Sequence, residues 1–78
     1  MANYEYAEGV ISSYKIQHDG VVIRVRIQDS KGSFTNRYLI NHREFSTSGA
    51  GEGTRVKLKQ NMSLPGLIRT WEFVEFIY

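Results

Sequence analysis

The feature that most constrains the fold is a run of residues in which apolar and polar side chains alternate with a period of two. It covers residues 20–29 of the 78-residue chain. One face of an extended segment would carry Ile23, Val25 and Ile27, and the other would carry Arg24, Arg26 and Gln28. Strict alternation of this kind is typical of a strand with one face in a core and the other in solvent. The sequence therefore predicts a half-buried β-strand here.

The segments on either side of this strand predict a three-stranded meander. Asp19 and Gly20 tolerate the positive φ angles of a tight hairpin turn, so residues 4–17 are expected to pair antiparallel with the strand. Gly9 lies inside that first segment, where a small barrel often needs a kink or a bulge. A second turn signal then leads to a third strand over residues 33–40.

The regular pattern ends after the third strand. Residues 41–45 fit a single helical turn, and the glycine and hydroxyl side chains of residues 46–53 predict a flexible loop. Alternation returns over residues 54–60, which predicts a fourth strand. Residues 67–78 predict a long apolar fifth strand whose apolar residues do not alternate. Either a bulge or burial of both faces would explain that irregularity.

This order of elements predicts an all-β fold. A meander of three strands, an irregular connection and two further strands is the order of a five-stranded Greek-key barrel of the OB type. An SH3-like barrel is the alternative, and the long connection between the third and fourth strands favours the OB type. Closure of the barrel would remove exposed sheet edges. The whole chain, residues 1–78, is expected to form one domain, because a chain near this size has room for a single core.

Cysteine usage and hydropathy bear on the cellular compartment. The chain contains no cysteine, so it has no disulfide framework and no thiolate metal site. Small secreted domains usually need such covalent links, which favours a reducing interior. The sequence also contains no long apolar run, and its first residues do not resemble a signal peptide. We therefore expect a cytoplasmic protein that does not interact with membranes.

No catalytic, metal or cofactor site is expected. His18 and His42 are isolated from acidic partners, so they do not form a zinc site with recognisable ligand spacing. The glycine-rich residues 49–53 lack the Lys and the Ser or Thr of a phosphate-binding P-loop. The carboxylates are scattered singly, without a pair placed for acid–base chemistry. These observations predict a protein that is not an enzyme.

The basic residues of the meander are the strongest candidates for a binding site. Arg24 and Arg26 would project from the outer side of the second strand, and Arg37 can share that side from the third. Tyr14 and Tyr38 are candidate outward aromatic residues beside them. Guanidinium groups can pair with phosphates, and tyrosines can stack on bases. A purely solvated face would carry similar residues, so this pattern alone leaves both interpretations open.

Two further features lie near the C-terminus. Arg55, Lys57 and Lys59 form a second basic row on the fourth strand, and Lys57 is a candidate phosphate contact. Such a row also keeps a strand soluble and prevents edge pairing. The fifth strand is rich in large apolar residues, which would mark a protein interface if they were exposed.

Three passages of the sequence resemble small OB-fold nucleic-acid-binding proteins of the translation initiation factor one and cold-shock types. They are residues 8–11 (EGVI), 25–29 (VRIQD) and 53–58 (GTRVKL). The aromatic RNA-binding motifs of cold-shock proteins are absent, since the second strand carries Val22, Arg24 and Arg26 instead. What the resemblance implies is binding of RNA or single-stranded DNA.

Together, the residues and the resemblance predict a non-enzymatic module that binds single-stranded nucleic acid through a basic, partly aromatic face. The predicted contacts are Arg24, Arg26, Arg37, Tyr14, Tyr38 and Lys57. The alternative is a protein-interaction or assembly module, such as a homo-oligomer, that uses the apolar C-terminal strand.

Overall fold

Five strands and one short helix make up the fold. The structure is a computed structural model, and it describes residues 3–29 and 32–77. The elements are β1 (Tyr4–Gln17), β2 (Gly20–Asp29), β3 (Gly32–Ile40), α1 (His42–Ser48), β4 (Arg55–Asn61) and β5 (Trp71–Ile77). A single 3₁₀ turn, Gly66–Ile68, lies between β4 and β5. The all-β prediction with five strands is confirmed.

All five strands belong to one antiparallel sheet with the order β3-β2-β1-β4-β5. The long strand β1 lies at its centre, and it pairs with β2 over residues 9–17 and with β4 over residues 4–10. A Cβ atom at Gly9 would overlap Val25 Cγ1 and would lie 3.0 Å from the carbonyl oxygen of Arg26. Gly9 therefore allows close packing where β1 is paired on both sides, while the bulge itself lies at Ser12.

The core lies on one side of the sheet, here called the inner side. Val21, Ile23, Val25 and Ile27 of β2 are each at most 2% exposed, so the predicted alternation of this strand is confirmed. The other buried apolar residues are Ile11, Ile40, Phe45, Val56, Leu58 and Phe76. The arginines of β2 consequently lie on the opposite side, called the outer side below.

The sheet does not close into the continuous barrel that the sequence predicts. Within the described residues the strand ladders leave β3 and β5 as the two edges, and the gap between them is called the seam. Side chains bridge the seam instead: the Tyr38 hydroxyl donates to the carbonyl oxygen of Trp71 at 2.7 Å. The rings of Tyr38 and Phe73 also pack with centroids 6.3 Å apart. These side-chain contacts connect β3 and β5, which share no strand ladder within the described residues.

Helix α1 is longer than the single turn predicted for residues 41–45. The Asn41 side chain caps its start by accepting from the backbone N–H groups of Arg43 and Glu44. The Thr47 hydroxyl donates to the carbonyl oxygen of Arg43 at 2.8 Å, so a residue assigned to the loop is satisfied in the helix. Gly49, with φ of 70°, ends the helix in the left-handed conformation.

The predicted flexible loop at residues 46–53 is therefore wrong for residues 46–48, which belong to α1. The rest of the predicted loop is hydrogen bonded to β1 at its end. The Gly53 N–H donates to the carbonyl oxygen of Ile11 at 2.8 Å, and the Ile11 N–H donates to the carbonyl oxygen of Thr54. The Gly51 N–H donates to the Thr54 hydroxyl at 3.0 Å. Flexibility of residues 49–53 stays a prediction.

A bulge explains the irregular pattern of β5. Lys57 pairs with Glu75 and Leu58 pairs with Phe73, which leaves Val74 as an extra residue. Phe73 consequently packs against the core cluster to which Phe76 belongs, although the two residues are three positions apart and would face opposite sides of a regular strand. Of the two explanations left open by the sequence, the structure supports the bulge.

Candidate nucleic-acid interface

Two arginines lie directly opposite each other on the outer side of the sheet. In the antiparallel ladder of β2 and β3, Arg24 pairs with Arg37, and both side chains are exposed. Arg26, two residues along β2, pairs with Thr35 on the same side. Like charges opposite each other destabilise a strand pair by roughly 0.2–1 kcal/mol. An anionic ligand between them would turn this repulsion into attraction.

Arg24 and Arg37 line a cavity of about 330 Å³, named here the arginine cavity. Its lining residues are Ser13, Tyr14, Lys15, Gln17, Val22, Arg24 and Arg37. Three of these residues are cationic, and none of the described residues that line it is acidic. The volume falls in the range of about 300–1,000 Å³ of small-molecule sites. The cavity is therefore suited to a phosphate group and the atoms attached to it.

The β-bulge at Ser12 determines which β1 side chains reach this cavity. Because of the extra residue, Ser13 pairs with Arg24 and Lys15 with Val22, which places both on the outer side. Tyr14 pairs with the buried Ile23. Without the bulge the assignments of residues 13–15 would be reversed, since successive strand residues point to opposite faces.

Tyr14 accordingly does not lie where the sequence places it. Its ring packs against Phe45 of α1, with centroids 5.0 Å apart, while the residue also borders the arginine cavity. Lys15 was missed by the sequence prediction and takes its place on the outer side. A signal was available, because Ile11 and Tyr14 are three residues apart and can share the inner side only if one extra residue is inserted.

Tyr38 lies at the seam and not on the outer side. It pairs with Ile23, and its hydroxyl accepts from Asn36 Nδ2 at 3.3 Å in addition to donating to Trp71. Burial raises the pKa of the Tyr38 hydroxyl, and the hydrogen bond from Asn36 partly offsets the rise. The Tyr38 hydroxyl is thus hydrogen bonded to Asn36 and Trp71 within the protein.

Arg26 borders a second, smaller cavity on the same outer side. This cavity has a volume of about 230 Å³ and is lined by Glu8, Gly9, Val10, Arg26, Gln28 and Arg55. Arg26 pairs with Val10 of β1, and Val10 pairs with Arg55 of β4. The arginine therefore lies between the arginine cavity and the basic row of β4.

Lys57 lies apart from the arginines, on a part of the outer side where positive and negative charges alternate. It pairs with Glu8 on one side and with Glu75 on the other. Arg55 Nη1 lies 3.6 Å from the Glu8 carboxylate. The row of β4 is thus balanced by carboxylates, whereas the arginine cavity is not.

The structure therefore brings together Arg24 and Arg37, with Arg26 beside them on the same face. Tyr14 and Tyr38 pair with inner-side residues, and Lys57 lines a different cavity. The exposed tyrosines Tyr4 and Tyr6 were missed, although their period-two spacing at the start of β1 was a usable signal.

Comparison of the chain with protein-family models, with curated proteins and with solved structures gives no match. Over residues 3–29 and 32–77, the structure has no helix with the length and apolar character needed to cross a membrane. The same residues hold no group of three or more His, Asp or Glu side chains arranged to bind a metal ion.

Proposed function

We propose that this protein is an OB-type module that binds single-stranded nucleic acid on the outer side of β1, β2 and β3. One observation carries the proposal. Arg24 and Arg37 face each other across two strands and share a cavity with Lys15, and no acidic residue among those described lines it. Three cations held together without counter-charges are best explained by an anionic ligand.

The strand order supports assignment to the OB type. β1 pairs with both β2 and β4, β5 adds to β4, and a helix connects β3 to β4. An OB fold is a five-stranded, partly open Greek-key barrel, and the open seam between β3 and β5 agrees with that description. In such barrels the face of strands two and three binds oligonucleotides, and Arg24, Arg26 and Arg37 occupy that face here.

The chemistry of the cavity favours a phosphodiester ligand. A guanidinium group presents planar, paired donors that match phosphate oxygens, and two such groups converge here from neighbouring strands. A flexible single strand can place one phosphate inside a cavity of about 330 Å³ and bring the neighbouring phosphates to the exposed cations that line it. RNA and single-stranded DNA both satisfy this requirement.

The proposed activity is binding without catalysis, and no cofactor takes part in it. The arginine cavity is lined by cationic, amide, hydroxyl and apolar side chains, which bind and orient a phosphate. We place this activity in the cytoplasm, a proposal supported by the absence of cysteine from the sequence.

Fluorescence anisotropy with a labelled single-stranded 12-mer, as DNA and as RNA, tests the proposal. Arg24→Gln combined with Arg37→Gln should weaken binding at low salt by at least tenfold, because a hydrogen bond to a charged group contributes about 1.5–3 kcal/mol. Arg43→Glu is the matched control, since it lowers the net charge by the same two units at an exposed position of helix α1. Equal affinities for the double variant and the control would contradict the proposal.

A protein-interaction role is the second candidate function. The residues that suggested it from the sequence are the apolar residues of the C-terminal strand, Trp71, Phe73, Val74, Phe76, Ile77 and Tyr78. Phe76 is in the core and Trp71 and Phe73 pack against it, whereas Val74 is 36% exposed and Tyr78 lies outside the described residues. Exposed apolar surface lies instead in the 3₁₀ turn before β5, where Leu67 is fully exposed and Ile68 is 59% exposed. Failure of the wild-type protein to bind either oligonucleotide would favour this second role.

A further inference from the structure

Two tyrosines and two lysines form a repeated pattern on the outer side of β1 and β4. Lys57 Nζ lies 4.7 Å from the ring centroid of Tyr6, and Lys59 Nζ lies 4.7 Å from that of Tyr4. Tyr6 is 56% exposed and Tyr4 is 38% exposed, so a base that displaces the flexible lysine side chain can reach each ring. We call these four residues the tyrosine platform.

The spacing of the platform suits a polymer of nucleotides. Tyr4 and Tyr6 are two residues apart on one strand, which separates them by about 6.7 Å along β1. Lys59 and Lys57 repeat at the same interval on β4. One aromatic ring per step suits an extended single strand, since each of its nucleotides carries one base that can stack on a ring.

The platform is continuous with the proposed binding face. The outer-side residues of β1 run from Tyr4 and Tyr6 through Glu8, which forms an ion pair with Arg55, to Val10, and after the bulge to Lys15 in the arginine cavity. The cavity lined by Val10 and Arg26 lies between the two ends of this path. A single-stranded nucleic acid with a phosphate at Lys15 can therefore extend along β1 toward Tyr6 on the outer side of the sheet.

The charges around the platform distinguish it from the arginine cavity. Lys57 pairs with Glu75 and Lys59 pairs with Glu72 across the ladder of β4 and β5. These carboxylates offset the attraction of the lysines for phosphate. Contacts on this part of the face consequently depend on the rings, and stacking of bases on aromatic rings releases no counterions.

We infer that the tyrosine platform is a base-stacking subsite for the same single strand whose phosphates occupy the arginine cavity. The inference rests on the proposed function and adds to it the length and direction of the bound strand. The strand runs along β1, with phosphates neutralised at Lys15, Arg24 and Arg37 and bases stacked on Tyr6 and Tyr4.

The test measures affinity and its salt dependence for a Tyr4→Leu/Tyr6→Leu variant, with Tyr4→Phe/Tyr6→Phe as the matched control that keeps both rings. The probes are a single-stranded 12-mer and a 4-mer. The Leu variant should bind the 12-mer about 30-fold more weakly, the lower end of the effect of losing base–aromatic stacking at two rings. Its salt slope should equal that of the wild type, and its affinity for the 4-mer should be unchanged.

Three outcomes overturn the inference, and they are distinguishable from failure of the proposed function. If the Leu variant binds as tightly as the wild type while the arginine variant binds more weakly, the tyrosine platform is not a subsite and the arginine cavity remains the proposed site. A reduced salt slope of the Leu variant would show that the tyrosines act through the lysines. No binding by the wild-type protein would remove both. If the Leu variant is unfolded by circular dichroism, the single variant Tyr6→Leu replaces it.

Discussion

At the scale of single residues, the arginine pair of the proposed binding site is expected to lower the stability of the free protein. Arg24 and Arg37 occupy opposing positions on exposed strand faces, where nothing in the packing of the core requires a cation. Lys15 adds a third charge to the same cavity. The free protein should therefore gain stability when one of these charges is removed.

We expect Arg24→Gln to raise the free energy of unfolding by a few tenths of a kcal/mol at low salt, because it relieves repulsion between cross-strand cations. The gain should shrink at high salt, where the charges are screened. Urea denaturation at the two salt concentrations measures both effects. A loss of stability at low salt, larger than that of the control Arg43→Gln, would show that the two arginines do not repel each other.

Gly9 is a residue whose absent side chain matters. A Cβ atom there would overlap Val25 Cγ1, at a point where β1 is paired with both neighbours. We expect Gly9→Ala to lower the free energy of unfolding by about 1–3 kcal/mol, as other overpacking substitutions do. Urea denaturation beside Gly51→Ala, where no atom lies within 4 Å of the added Cβ, separates this clash from the general effect of replacing glycine. Equal stability of the two variants would contradict the account.

At the scale of elements, the two bulges decide which sequence predictions succeed. Alternation places β2 correctly because no residue is inserted in that strand, which pairs with β3 without interruption from Val21 to Ile27. The same reasoning misplaces Tyr14, since Ser12 shifts the phase of β1 by one residue. Val74 has the same effect in β5. A pattern of period two does not show where one residue is inserted. The only indication is an odd spacing between the apolar residues on either side of the bulge.

The helix shows a different limit of local reasoning. Ser and Thr disfavour helix interiors because they bond to nearby backbone groups. In α1 that same ability satisfies the carbonyl oxygens of Arg43 and Phe45 through Thr47 and Ser48. Burial of Phe45 in the core holds the helix in place, and that tertiary contact is not visible in the composition of residues 46–48.

The seam between β3 and β5 leads to a prediction on pH dependence. Burial raises the pKa of Tyr38, so the folded state holds this proton more tightly than the unfolded state does. The resulting stabilisation is fully present below about pH 10, the ordinary tyrosine pKa, and it is lost as pH rises through the higher folded pKa.

We therefore expect Tyr38→Phe to make two changes. It removes the hydrogen bond to the Trp71 carbonyl oxygen, which should lower stability by about 0.5–1.5 kcal/mol at neutral pH. It should also make the decline in stability above pH 10 less steep than in the wild type. Urea denaturation from pH 7 to 11 measures both, and parallel pH profiles of the two proteins would contradict a role for Tyr38 ionisation.

At the scale of the whole molecule, the five-stranded architecture follows from the sequence, but the binding face does so only in part. Arg24, Arg26 and Arg37 were predicted because β2 and β3 are regular. The contribution of Lys15 depends on a bulge, and that of Tyr4 and Tyr6 depends on the lysines that β4 brings to them. The proposed site is assembled by pairing between strands that are distant in the chain, so all of its residues can be identified only from the fold.

The most direct test of the central claim is the salt dependence of binding to a single-stranded 12-mer. Three cations in the arginine cavity predict a log–log slope of about −2 for the wild type, from 0.7 for each neutralised phosphate of a single strand. The Arg24→Gln/Arg37→Gln variant should show a slope of about −0.7. Binding whose salt slope is the same in both proteins would contradict the claim that single-stranded nucleic acid is held in this cavity.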